Sequence, residues 1–243
     1  RYARMLMWAV SAGVLDAALT VVAISGSNVL AVVGKEQRPK QNEFLDLMSN
    51  GTGNDFVALV NIYNAWVGSG RFPHERRYFA RNAMLSHNSL VSVGKARRQL
   101  FRQISQLPHL RKALSTISVN GGGDMVYLKP QNVQETAHSI ERFDYVDTAF
   151  NVANDWLSGM GKVTNWKHYS GAPLPLCNCN AYDDRVVGTL LTMALYPSIA
   201  VGLPGKRLKI TTRLGVNAGL SNRSVVAQKI ANPVVVGFSE CIH

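Results

Sequence analysis

Ten basic side chains stand between residues 71 and 112 (Arg71, Arg76, Arg77, Arg81, Lys95, Arg97, Arg98, Arg102, Arg111 and Lys112) against a single acid, Glu75. Eight of the ten are arginine, whose planar guanidinium binds phosphate through two parallel hydrogen bonds where lysine offers a point charge. A solvated helix face is the plain alternative for such a run. One acid among ten bases repels itself without a counter-charge, so a polyanion is the better reading. The rest of the chain is differently balanced. Residues 1–70 carry five bases and five acids, residues 113–180 four and six, and residues 181–243 seven and three, within a total of +11. One segment therefore dominates the field, and a smaller surplus lies near the C-terminus.

Other chemistries fail on residue type or spacing. A phosphate-binding P-loop needs Gly-Lys followed by Ser or Thr, and the Gly-Lys pairs here continue into Glu36, Ala96, Val163 and Arg207. His74-Glu75 is followed by Arg76, Arg77 and Tyr78 rather than a second histidine, and no Gly-x-Ser-x-Gly elbow occurs. Cys177 and Cys179 with His168 fall short of the four ligands of a closed zinc site, so an irregular loop is expected and no metal. Asp183-Asp184 precedes an apolar run and reads as a helix cap rather than a carboxylate pair. Tyr63 and Trp66 are able to stack on bases but share an apolar helical stripe, which favours the core. No catalytic residues are assigned.

The elements that must position these groups follow from periodicity. Tyr2, Met5, Leu6, Ala9 and Val10 recur at helical spacing until Gly13, and Asp16 is placed to cap a second apolar helix through Ile24. Gly34 to Asn42 reads as a polar loop. After Gly53-Asn54 the stripe Phe56, Leu59, Val60, Tyr63, Trp66 and Val67 predicts a helix ending at Gly68-Ser69-Gly70. From His87 to Gln106, Leu90, Val93, Arg97, Leu100, Phe101 and Ile104 are in periodic order, with arginines on the flank. Short β-like runs surround Gly121-Gly122-Gly123, a helix is expected over Phe143 to Leu157, and Ser170 to Asn180 reads as loop. Over 181–243 the period changes, with an apolar run from Val186 to Leu195 and punctuation at Pro197 and Gly202 to Gly205. Leu208 to Thr212, the turn and strand around Arg213 to Val216, and Pro233 to Phe238 suggest short strands with glycine turns, the pattern of a small OB-type barrel.

Composition bounds the class. With 243 residues and 47% hydrophobic residues, there is material for one large domain or two to three small ones. Three cysteines make no secreted disulfide framework and point to a reduced, intracellular setting. The apolar run from Val14 to Ile24, interrupted by Asp16, is far short of the ~20 residues that span a bilayer. A chain that begins at Arg1 is expected to be a piece of a longer polypeptide.

Three helical stretches and three C-terminal ones resemble the DEAH/RHA-type RNA helicases, in the region that follows the motor. Gly13-Val14-Leu15-Asp16-Ala17-Ala18-Leu19-Thr20-Val21-Val22-Ala23 resembles the first helical segment of the helicase-associated (ratchet) module. Asn54 to Trp66 is similar to the next signature, an acidic residue opening a helix that ends in Asn-x-Trp, and Lys95-Ala96-Arg97-Arg98-Gln99-Leu100 to the basic helix that closes the module. Ala194 to Ala200, Lys206 to Thr212 and Val235 to Glu240 resemble the C-terminal OB domain of the RNA helicase A branch. A divergent helicase of the kinetoplastid mitochondrial RNA-editing type fits. Ser221, Asn222 and Arg223 depart from the usual Leu-His-x-Ser-Ser-Val loop, and 106–180 is longer than the usual link.

The resemblance implies an α+β fold, with a helical ratchet-like bundle over 1–105, an insertion or linker over 106–180 and a small OB-type β-barrel over 181–243. It implies an auxiliary part of an ATP-dependent RNA helicase that holds single-stranded RNA through Arg97, Arg98 and Arg102 on the bundle. Lys206, Arg207, Lys209, Thr211, Arg213 and Arg223 are the expected contacts on the barrel. ATP and Mg²⁺ would belong to an upstream RecA-like motor, with no cofactor in this chain, and protein partners of the glycine-patch type would dock on the OB surface. A free-standing basic RNA-binding or ribosome-associated adaptor is the alternative.

Overall fold

In a computed structural model, residues 2–108, 116–119, 124–127, 144–159, 176–181, 183–195, 199–203, 209–212, 217–218, 224 and 234–237 are described. The first six helices are α1 (Tyr2–Ala12), α2 (Leu15–Ile24), α3 (Arg38–Met48), α4 (Asp55–Gly68), α5 (Pro73–Asn82) and α6 (His87–Ser105). A two-stranded hairpin, β1 (Thr116–Val119) with β2 (Asp124–Tyr127), precedes α7 (Asp144–Leu157), a 3-10 turn at Leu176–Asn178, and α8 (Asp184–Leu195). The strands β3 (Ile199–Leu203), β4 (Lys209–Thr212), β5 (Asn217–Ala218) and β6 (Val234–Gly237) follow.

Helix α4 is the axis of the body. Asn54 caps it, its Oδ1 accepting from the backbone N–H groups of Phe56 (2.9 Å) and Val57 (3.3 Å), which satisfies two donors that a helix start leaves open. Ten of its fourteen residues are buried, and a helix apolar on nearly all sides must be wrapped by others. Its flanks join two cores. One gathers α1, α2, α8, the 3-10 turn and the C-terminal part of α6, and the other gathers α3, α5, α7 and the N-terminal part of α6.

The α1–α2 corner follows from Gly13. Its φ of 69° is open to glycine at little cost. The bonds Gly13 N to Val10 O (3.4 Å) and Val14 N to Ala9 O (3.0 Å) form the paired closure of a Schellman end. The 3-10 turn then clamps this corner, with Asn180 donating from its backbone to Gly13 O (2.8 Å) and from Nδ2 to Ala12 O (2.9 Å).

Three local expectations change. Gly34 to Asn42 is not all loop, because Pro39 sits in the first turn of α3, where its missing N–H costs nothing. Asp16 does not cap α2. Val14 occupies that position without a side-chain bond, and Asp16 points into the core. The span 106–180 contributes α7, which packs on α4 and α3, and the 3-10 turn on α1 and α2, while α8 lies against α1.

The expected fold class, a helical bundle followed by an OB-type β-barrel, is corrected. The packed body is helical, and no barrel is seen among the described residues. β3 pairs antiparallel with β4 and with β6, β4 pairs with β5, and the strand order is β5-β4-β3-β6. Among the described residues the edge strands β5 and β6 do not pair, so the ladder is open there. Closure needs tilted, staggered strands long enough to bring the two edges together, and these run from two to five residues.

Helices α4 and α7 cross so closely that a β-carbon on Gly68 would lie 2.9 Å from Phe150 Cβ and 3.0 Å from the Val146 carbonyl oxygen. Gly68→Ala is expected to destabilise by roughly 1–3 kcal/mol, read as a lower Tm. Gly188→Ala, on α8 where the nearest atom is Asn54 Nδ2 at 3.6 Å, is expected to stabilise by about 0.5–1 kcal/mol.

Candidate nucleic-acid interface

Helix α6 sorts its side chains by spacing. Ser86 caps it, accepting from Ser89 N. Leu90, Val93, Gly94, Arg97, Phe101 and Ile104 form the buried stripe, whereas Lys95, Arg98 and Arg102 lie exposed on the far side. Residues three and four apart share a helix face, so these three cations form one row. Helix α5, in contact with α6, brings Arg77 and Arg81, and Arg71 precedes it; all three are exposed.

The structure thus divides the predicted contacts. Arg98 and Arg102 are at the surface. Arg97 is in the core, ion-paired through Nη2 with Asp16 Oδ1, with side-chain exposures of 10% and 2% respectively. Its guanidinium carbon lies 4.5 Å from the centre of the Tyr63 ring. Asp16 is fixed in turn: its N–H donates to Asn178 Oδ1 (2.8 Å) and its carbonyl accepts from Thr20 Oγ1 (3.1 Å). Gly94 leaves room for the Tyr63 hydroxyl, which a β-carbon there would approach to 3.2 Å. Arg97 therefore joins α6 to α2 and α4. On the sheet, Lys209 pairs with Leu203 and Thr211 with Val201 in the β3–β4 register. Lys206, Arg207, Arg213 and Arg223 lie outside the described residues.

The interior beneath the cationic face is also ordered. Arg76 donates from Nε to the Gly70 carbonyl (2.9 Å) and lies 5.1 Å from the Trp66 ring centre. Trp66 Nε1–H donates to His87 Nδ1 (3.4 Å), which leaves the neutral ring's proton on Nε2. Burial first, then the positive charges of Arg77 and Arg76, push the His87 pKa down, against a backbone hydrogen bond to Arg76. Tyr63 and Trp66 are core residues, 2% and 4% exposed. Beside the cationic row the exposed aromatics are Phe72 and Tyr78, interleaved with Arg71, Arg76 and Arg77, while Tyr2 and Trp8 are exposed on α1. That alternation was visible in the residue order but carries no helical stripe to draw attention to it.

Asp183 caps α8, its Oδ1 accepting from Arg185 N (2.9 Å) and Val186 N (3.4 Å), while Asp184 accepts from Asn50 Nδ2 (2.7 Å). Cys177 is buried and its thiol is pushed up to about 12, chiefly by desolvation, so it stays protonated and unreactive. Among the described residues no three His, Cys, Asp or Glu side chains converge as a metal site. No helix among them is long and apolar enough to cross a membrane.

Two outcomes follow. Removing one partner of a buried ion pair strands the other's charge, so Arg97→Met is expected to cost about 3–5 kcal/mol in denaturant unfolding. Asp16→Leu with Arg97→Met should recover most of that loss. The lowered His87 pKa favours the neutral ring in the fold. Its contribution is therefore whole above the unfolded value of 6.5 and is lost as pH falls toward the folded value. His87→Gln is expected to flatten the pH dependence of unfolding in that acid range.

Over 93 residues the chain is 33% identical to RNA editing associated helicase 2 of Trypanosoma brucei brucei (strain 927/4 GUTat10.1). The match takes in 37% of this chain but only 4% of that much longer protein. No protein-family profile matches the chain. The similarity relates this chain to a helicase named for RNA editing.

Proposed function

We propose that this chain is an RNA-holding auxiliary segment of a larger ATP-dependent helicase of the DEAH type, without catalytic residues of its own. The observation that carries this reading is the row Lys95, Arg98 and Arg102 on the outer face of α6, beside Arg71, Arg77 and Arg81. The fold keeps these cations at the surface while burying Arg97 against Asp16. The partial match to an RNA-editing helicase agrees with it. ATP and Mg²⁺ act in a RecA-like motor elsewhere in the polypeptide. This module grips the ribose-phosphate backbone, a contact tolerant of sequence and sensitive to salt.

Residues 1–105 supply most of this ratchet-like unit. Among the contacts first expected, Arg98 and Arg102 are retained and Arg97 becomes the residue that holds their helix in place. The C-terminal cations Lys206, Arg207, Lys209, Arg213 and Arg223, with Thr211, add a second contact region.

Arg98→Glu with Arg102→Glu is expected to weaken binding to a single-stranded oligoribonucleotide. It should reduce the slope of log affinity against log salt by about 1.4, at about 0.7 per phosphate contact. An unchanged slope overturns the assignment. Motor motifs in the longer polypeptide separate this reading from that of a motor-free basic adaptor.

A further inference from the structure

Helix α5 carries a feature that backbone gripping does not require. Phe72, at its N-cap position, is 56% exposed, and Tyr78, in its second turn, is 71% exposed. The Phe72 ring lies on the His74 ring, with centroids 5.7 Å apart and planes 11° from parallel. His74 and Tyr78 also line an open cavity of about 660 Å³ between α5 and α7, within the size range of ligand clefts. Glu75, Asn82, Asn154 and Ser158 add polar groups at its wall, and Phe150 adds an apolar one.

Scattered exposed aromatics are ordinary. These sit between Arg71, Arg77 and Arg81, in a segment whose only acid, Glu75, caps its own helix, Oε2 accepting from Phe72 N at 2.8 Å, and also lines the cavity. The surface therefore combines flat π faces, an excess of positive charge and a recess edged with amide and hydroxyl groups and the Glu75 carboxylate. Single-stranded RNA has the matching parts, since its bases are free to stack on aromatic side chains while arginines take the phosphates. A duplex hides its base faces, and an acidic peptide satisfies the cations alone.

We propose that α5 is a base-stacking subsite, in which Tyr78 and the Phe72–His74 pair receive unpaired bases of single-stranded RNA at the mouth of the α5–α7 cavity. The proposal rests on the RNA-holding role and deepens it, because it makes binding depend on base faces as well as on charge. Asn82 and Asn154 meet the base edges, and Arg71, Arg77 and Arg81 meet the flanking phosphates.

The test uses the whole chain and three probes of equal length: a labelled oligouridylate, its abasic ribose-phosphate counterpart, and an RNA duplex. Phe72→Ala with Tyr78→Ala is expected to lower affinity for the oligouridylate roughly tenfold. The salt slope, the abasic binding and the thermal melt should be unchanged, because both side chains are exposed. Phe72→Tyr with Tyr78→Phe should keep full affinity. Wild-type chain that binds the abasic strand or the duplex as tightly as the oligouridylate overturns the stacking subsite while leaving the charge-based reading standing. So does an alanine variant of undiminished affinity. Wild-type chain that binds none of the three, or a site occupied instead by a polyglutamate peptide in competition, overturns both.

Discussion

The buried pair of Asp16 and Arg97 is the constraint on which the helical body depends. Two charges taken out of water cost several kcal/mol each, and their mutual attraction offsets this only when geometry and further hydrogen bonds are in place. Here the supporting contacts come from four separate parts of the chain. α2 supplies the carboxylate, α6 the guanidinium, α4 the Tyr63 ring beneath it, and the 3-10 turn the Asn178 oxygen that holds the Asp16 backbone. An apolar contact tolerates sliding, whereas this one exists in a single register. It fixes the rotation of α6 about its own axis, and with it the direction in which Lys95, Arg98 and Arg102 face. One arginine that touches nothing outside thus determines where its neighbours point.

Much of this was legible in the chain. The α4 stripe, the break at Gly13 and the span of α6 follow from spacing that packing then reinforced. The ion pair was present in the sequence as two matching anomalies. Asp16 interrupts an apolar run, and Arg97 occupies an apolar position between Val93 and Phe101. Each alone has a mundane explanation, a cap for one and a phosphate contact for the other. Only their pairing across 81 positions makes sense of both, and no local pattern announces a contact so distant. Helix α3 was hidden for another reason. Its apolar face is only Phe44, Leu45 and Met48, and its entry through Arg38-Pro39-Lys40 looks like punctuation.

The C-terminal region shows where periodicity runs out. Alternating runs separated by glycines identify strands but not their closure, which depends on the length and stagger of partners far apart in sequence. Among the described residues the four strands form an open ladder and no barrel, an outcome that likeness at the level of short motifs did not foretell. The candidate interface divides in a similar way. Charge density was plain from composition, but exposure separates Arg98 and Arg102 from Arg97, and it brings out Phe72 and Tyr78, which no apolar stripe includes.

Helices α7 and α8 close the body from positions far downstream of the helices they cover. Until α8 emerges, the face of α1 that it buries stays open, and α4 likewise waits for α7. At translation speeds of about 5–20 residues per second, the roughly 170 positions between α1 and α8 take on the order of ten to thirty seconds to synthesise. During that interval the nascent polypeptide carries a bare apolar seam beside its strongest concentration of positive charge. The order of synthesis therefore leaves that seam exposed for longer than closure by neighbouring helices would.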